Sequence, residues 1–122
     1  MASKPMPSYY TPLPQDLTPE EMNVIQYHRR NLDNNTFLTN PDGSPTTFKG
    51  AVMGVDNGAM LFPTYWDGVV LEPRTAQRLA ARAGGFPVYK DADTALAREA
   101  LIHKVMEADS RAFMSSRKKA KK

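Results

Sequence analysis

The sequence predicts an α+β fold: an N-terminal helix, an antiparallel meander of three or four strands, and two further helices. Three observations carry this reading. A capping signature precedes a stretch with apolar residues at helical spacing near the start. Short β-prone runs then alternate with the turn sequences Asn40-Pro41-Asp42-Gly43, Asp56-Asn57-Gly58 and Asp67-Gly68. Finally, two helical stretches are separated by Gly84-Gly85.

The chain opens on an arm that is not expected to be regular. Five of its ten prolines fall at or before Pro19. Each proline removes a donor and fixes φ, so residues 4–14 exclude a helix or a central strand. The expected organisation is an extended Pro/Tyr-rich arm over residues 1–15, one α+β domain over 16–114, and a basic tail over 115–122.

Thr18 is the expected N-cap of the first helix, with Pro19 at its first position and Glu21 completing a capping box. Met22, Ile25 and Leu32, with Tyr27 or His28 beside them, fall on one face, which predicts a helix over about 19–32. The period then shortens. Residues 36–39, 46–53, 59–66 and 69–71 read as strands, with proline and glycine supplying the turn conformations between them. Asp67-Gly68 is a two-residue hairpin signal. Pro63 places its strand at a sheet edge or at a break.

Pro73 opens a helix through Arg82 that Gly84-Gly85 closes. Phe86-Pro87-Val88-Tyr89 reads as an extended connector. Asp91 or Asp93 then caps a last helix running to Phe113 or Met114. Its expected buried stripe is Ala97, Leu101, Val105, Ala108 and Ala112, flanked by Ile102, Met106 and Phe113.

Formal net charge is +3, yet Arg117, Lys118, Lys119, Lys121 and Lys122 hold more positive charge than that. The remainder is therefore acidic on balance, so the basic pI belongs to the tail and not to the expected folded surface. The lysine run has no apolar periodicity and is expected to be disordered alone. With no cysteine, disulfides and thiolate metal sites are excluded. Met1-Ala2-Ser3-Lys4 lacks the apolar core of a signal peptide, and no apolar run approaches membrane-spanning length, so a soluble protein without membrane insertion is expected.

Nothing in the sequence assembles a catalytic set, and the protein is read as non-enzymatic. His28 and His103 sit on helices beside charged neighbours and read as ordinary surface or packing histidines. Two histidines without cysteines make a poor metal set, and no phosphate-cradling glycine loop precedes a helix, so neither metal nor cofactor is expected. The carboxylates of the turns and helix starts are explained by local structure. Were hydrolysis observed, Glu21, Glu99 and Asp109 would be the acids to change.

Three features invite a partner. Pro5, Pro7, Tyr9, Tyr10 and Pro12 form an arm that can lie extended across a neighbouring subunit, or have no fixed structure. Strand alternation puts Tyr65 and Trp66 on opposite faces. Either one packs under a helix while the other covers an edge, or the pair is an exposed aromatic anchor. Arg117, Lys118, Lys119, Lys121 and Lys122 can touch nucleic acid or an acidic surface by counterion release, or can simply be solvated.

The order of turn motifs resembles a module of tailed-phage proteins. The residues that carry it are Asn40-Pro41-Asp42-Gly43-Ser44, Thr46-Thr47, Asp56-Asn57-Gly58, Pro63-Thr64-Tyr65-Trp66-Asp67-Gly68, Phe86-Pro87 and the helix from Ala92 to His103, covering about residues 36–106. The chain departs from the pattern where Leu71-Glu72-Pro73 replaces the usual Ser/Asp cap. The resemblance implies a virion-associated structural or accessory role in tail, connector or capsid. The partners would be other phage virion proteins, in multiple copies, in the virion and in the host cytoplasm during assembly. The alternative it leaves open is a phage-encoded host-interaction protein, such as an inhibitor of a host defence or nucleic-acid enzyme.

Overall fold

A computed structural model describes residues 10–120, with side chains described through residue 116. The first helix, α1 (Pro19–Asp33), begins as its sequence dictates. Thr18 Oγ1 accepts the Glu21 N–H at 3.1 Å, and Glu21 Oε1 accepts the Thr18 N–H at 3.0 Å. Two donors that a helix start would leave unpaired are thereby satisfied. The helix stops where Asn35 turns left-handed at φ 55°, a conformation asparagine tolerates.

The strands are antiparallel, but they form three small sheets in place of one meander. A short hairpin pairs β1 (Leu38–Thr39) with β2 (Pro45–Thr46). Its turn is held by the Asn40 N–H donating to Ser44 O at 2.8 Å and by Gly43 at φ 87°. The expected strand over 46–53 is broken at Lys49, whose φ of 48° is incompatible with continuous β structure. Beyond the break, β3 (Gly50–Val55) pairs along its length with β4 (Gly58–Pro63). The expected extended connector also contributes a strand: after β5 (Tyr65–Trp66) and β6 (Val69–Val70), β7 (Val88–Tyr89) returns to pair with β4. The central sheet thus has the order β3-β4-β7. Its β4 is the middle strand, and Pro63 ends it instead of marking it as an edge. Asp67 and Gly68, at φ 48° and 85°, close the β5–β6 hairpin with the two left-handed residues of a type I′ turn.

Two helices complete the fold, α2 (Pro73–Ala83) and α3 (Ala92–Ala120). Asp91 caps α3 by accepting the Thr94 N–H at 2.8 Å. The α+β class and helix order expected from sequence hold. Two details of α3 differ. It continues through Ala120, so the backbone of Arg117, Lys118 and Lys119 belongs to the helix. Its buried face is also rotated: Ala95, Ile102, Val105, Met106, Asp109 and Phe113 point inward, while Ala97 is exposed. Asp109 on this face is a fully buried acid whose charge is matched by Arg29 of α1.

Both faces of the central sheet are covered, which explains why β4 is buried from Ala59 to Pro63. Pleat alternation puts Met60 with Met53 on one face and Leu61 with Val52 on the other. On the first face α2 approaches, with the Gln77 amide 3.5 Å from the Met60 sulfur. The main core joins Val24 and Ile25 of α1, Leu61 and Phe62 of β4, Ala76 and Ala80 of α2, and Ile102 and Met106 of α3. Each large apolar side chain removed from water contributes about 1.5–3 kcal/mol, which is what holds these short strands between their helices.

Candidate functional site

Charged and polar side chains occur in two quite different settings, and only one of them can meet a partner. The first is internal. Asp109 of α3 is fully buried and receives Arg29 Nε at 2.8 Å, Arg29 Nη2 at 3.1 Å and the Thr11 N–H at 2.8 Å. Burial raises its carboxyl, but contacts from His28 and Arg29 outweigh it and hold the group down at about 2. His28, also fully buried, has Nδ1 2.5 Å from Thr47 Oγ1 and Nε2 3.3 Å from Asp109 Oδ2. The second contact lacks hydrogen-bond geometry. Burial lowers the imidazole below its ordinary 6.5, so the ring is neutral at pH 7.

The order Asp109–His28–Thr47 is that of a hydroxyl-activating relay. Its surroundings point to another use. Arg29 and Thr11 already engage the carboxylate, and Thr47 is only 5% exposed. The network ties the chain before α1 to α1, α3 and the loop after β2. A second network does the same at the other end of α1. Buried Glu21 accepts Arg98 Nε and Nη2 at 2.8 and 2.7 Å and the Tyr89 hydroxyl at 2.7 Å. The Arg98 hydrogen bonds hold its carboxyl at about 2. Burial and Glu21 together raise the Tyr89 phenol above its ordinary range.

These networks relocate several residues expected to bind partners. Tyr10 is buried: its hydroxyl donates to Asp33 and its ring lies 4.6 Å under the Arg29 guanidinium. It is committed to its own chain, where its ring face covers the Arg29 cation above it. Pro12 is exposed beside it, whereas Pro5, Pro7 and Tyr9 lie outside the described residues. Tyr65 is 3% exposed, and its carbonyl accepts the Tyr27 hydroxyl. Trp66 is half-buried, donates from Nε1 to Pro63 O at 2.7 Å, and packs edge-on to Tyr27 and Phe86. The pair is therefore core and not an exposed anchor. The nearby exposed apolar residues are Val69 and Val70. Lys121 and Lys122 lie outside the described residues, as do the side chains of Arg117, Lys118 and Lys119.

The open setting is a groove of about 840 Å³ between α3 and the segment from β1 to β3. Leu38, Val52, Leu96, Met106 and Met114 give it apolar walls, and Thr47 reaches it from the internal network. Along its α3 lip, His103 lies 3.9 Å from both Glu99 and Glu107. These are exposed contacts of little energetic weight. Of the three acids singled out from sequence, Glu99 alone faces the groove; Glu21 and Asp109 belong to the internal networks.

One side of the groove is a strand edge. Val55 and Gly58 flank a two-residue turn and so exchange both ladder hydrogen bonds. Alternation then makes Met53–Met60 and Ala51–Phe62 the other bonded pairs. Among the described residues β3 is an edge strand of its sheet, so the peptide groups of Gly50, Val52 and Gly54 point away from β4. Gly54 is exposed, and a Cβ built there would meet nothing within 4 Å. The sequence held one signal of this edge: two glycines in a six-residue strand, too small to cover the backbone beside them. The expected strand over 46–53 takes in Gly50 but not Gly54, so the pair does not show in it.

Among the described residues, no group of three or more His, Cys, Asp or Glu side chains is placed to hold a metal ion. Nor is any described helix long and apolar enough to cross a membrane. No family model, curated protein or solved structure matches the chain.

Proposed function

We propose that this protein is a non-catalytic, virion-associated accessory protein of a tailed phage, and that it acts by capturing an extended segment of a partner along β3. The observation that carries the binding part is the outer edge of β3, which no strand among the described residues covers, beside a half-apolar groove. Unpaired peptide groups at such an edge favour a strand, because main-chain hydrogen bonds provide affinity while flanking pockets read alternate side chains. The virion part rests on the order and spacing of the turn motifs between Asn40 and His103.

Each neighbouring element has a role in this reading. The Lys49 break frees β3 from the β1–β2 hairpin, leaving room for the groove. The internal ion networks fix α3 at the distance that keeps the groove open. Thr47 connects the two, since its hydroxyl lies on His28 while its residue borders the groove.

Purified particles should contain the protein by mass spectrometry. Within them, a photo-crosslinking residue at Val52 should couple to a particle protein, and one at Arg78 on α2 should not. Particles that lack the protein would reject the virion role. Equal coupling from both positions would reject β3 as the binding edge.

A further inference from the structure

The outer face of α2 carries charge of one sign. The helix contains Arg74, Arg78 and Arg82 and no acidic residue. Ala76 and Ala80 are fully buried and mark the line along which the helix meets the core. Arg78 stands two residues from each, about 160–200° around the helix, so it points away from the sheet. Arg74 and Arg82 flank it one turn to either side, about 40° off the same line. All three are exposed.

No acid of the chain neutralises this stripe. Every Asp and Glu falls between Asp16 and Asp109, so residues 1–9 and 117–122 contain none. Among the described residues, which include all of these acids, no ion pair involves Arg74, Arg78 or Arg82. The arrangement also works against the helix itself. Like charges four positions apart destabilise a helix, and Arg74 lies in the first turn, at the positive end of the macrodipole. The other helices place acids there, Glu20 and Glu21 in α1 and Asp93 in α3. What is unfavourable for α2 alone becomes favourable once an anion lies across it.

Residue type and spacing select the anion. The stripe uses arginine throughout, and the planar guanidinium matches phosphate with two parallel hydrogen bonds. It is about 12 Å long, a length over which one strand of a duplex presents about three or four phosphates. Of the large apolar side chains exposed among the described residues, none is on α2. A helix lying on a membrane and the centre of a protein interface both need such side chains, whereas a phosphate backbone does not.

We propose that Arg74, Arg78 and Arg82 form a site for the phosphate backbone of nucleic acid, engaged without sequence preference because phosphates carry no base information. The site lies across the central sheet from the groove, whose walls include Val52 and Leu61 of the other sheet face. It therefore goes beyond the capture of a segment at β3 and stands or falls separately. Its ligand is not a protein, so position 78 should still couple to no particle protein.

The test measures binding of the full chain to a short labelled DNA duplex of mixed sequence at rising salt. The comparison is with a variant carrying Arg74→Gln, Arg78→Gln and Arg82→Gln together. Residues 117–122 are retained in both proteins, so any contact they make cancels. Between about 50 and 200 mM salt the parent's affinity should fall about fortyfold more than the variant's, since each lost phosphate contact removes about 0.9 from the salt slope. The variant's urea midpoint should equal or exceed the parent's, because it relieves like-charge repulsion. Lysine at the same three positions should keep the parent's slope while binding severalfold more weakly. Equal slopes for the parent and the glutamine variant would overturn the proposal. So would loss of the slope in the lysine variant, or no duplex binding at about 50 mM salt. Arginine-dependent binding to phosphatidylserine vesicles or to polyglutamate, tighter than to the duplex, would assign the face to a membrane or an acidic protein and overturn it as well.

Discussion

The internal network around Asp109 and the groove lip around His103 use the same residue types on the same helix, for opposite ends. At Asp109 the acid, histidine and arginine are dry, and the acid and the arginine are each held by several partners. At the lip, His103 is 60% exposed and lies 3.9 Å from two acids that are also solvated. In water such pairs contribute a few tenths of a kcal/mol, while a buried charge that loses its partner costs several. The difference teaches that charge type does not reveal function on α3. Position around the helix does: the buried charges fix the helix in place, and the exposed ones are available to a ligand.

Removing one side of the buried pair should break the contrast most sharply. Asp109→Ala should destabilise the protein by about 3–5 kcal/mol in urea denaturation, leaving Arg29 uncompensated. Glu107→Ala should stay within about 0.5 kcal/mol of the parent. Next in size is Gly58→Ala. Gly58 has φ 147°, and a Cβ there would stand 1.9 Å from Tyr89 O. A loss of about 1–3 kcal/mol is expected, with β7 detaching from β4 as read by exchange of the Leu61 amide. Thr47→Val should cost about 1–3 kcal/mol by leaving His28 Nδ1 without its partner, if the relay is structural as its burial indicates.

The pH dependence sharpens the same comparison. His28 has its folded pKa lowered from 6.5 by burial, so its neutral form favours the native state. Its contribution is complete above pH 6.5 and declines as pH falls below that value. Glu21 and Asp109 are both held at about 2, below their ordinary 4.5 and 3.8. Their contributions are complete above those ordinary values and disappear as pH falls towards 2. The urea midpoint should therefore drop in two stages on acidification, and His28→Gln should remove the first.

Much of the fold was legible because it is encoded locally. The Thr18–Glu21 capping box, the Asp67-Gly68 hairpin turn and the Gly84 helix stop each depend on residues a few positions apart. What could not be read depends on distant pairing. No short-range signal tells that Asp109 finds Arg29 on α1, so the expected face of α3 contains Val105, Ile102, Met106 and Phe113 correctly but omits Asp109 and Ala95 and includes the exposed Ala97. The same holds for Tyr10, which is buried against the distant Arg29 cation over its ring and the Asp33 carboxylate, partners its proline-rich neighbours do not announce. β7 was invisible for a related reason. A two-residue strand has too little pattern to announce itself and exists because Gly58 lets two backbones approach. The groove needed both corrections, since it lies between the rotated helix and a strand edge that a continuous meander would have hidden.

The central claim is that β3 is the edge at which this protein meets its partner. Photo-crosslinking from Val52 in assembled particles, with Arg78 as the control on the opposite helix, tests it most directly. A single defined cross-linked partner from position 52 and none from position 78 is the predicted result. Particles that carry the protein but give no coupling at 52 would contradict it.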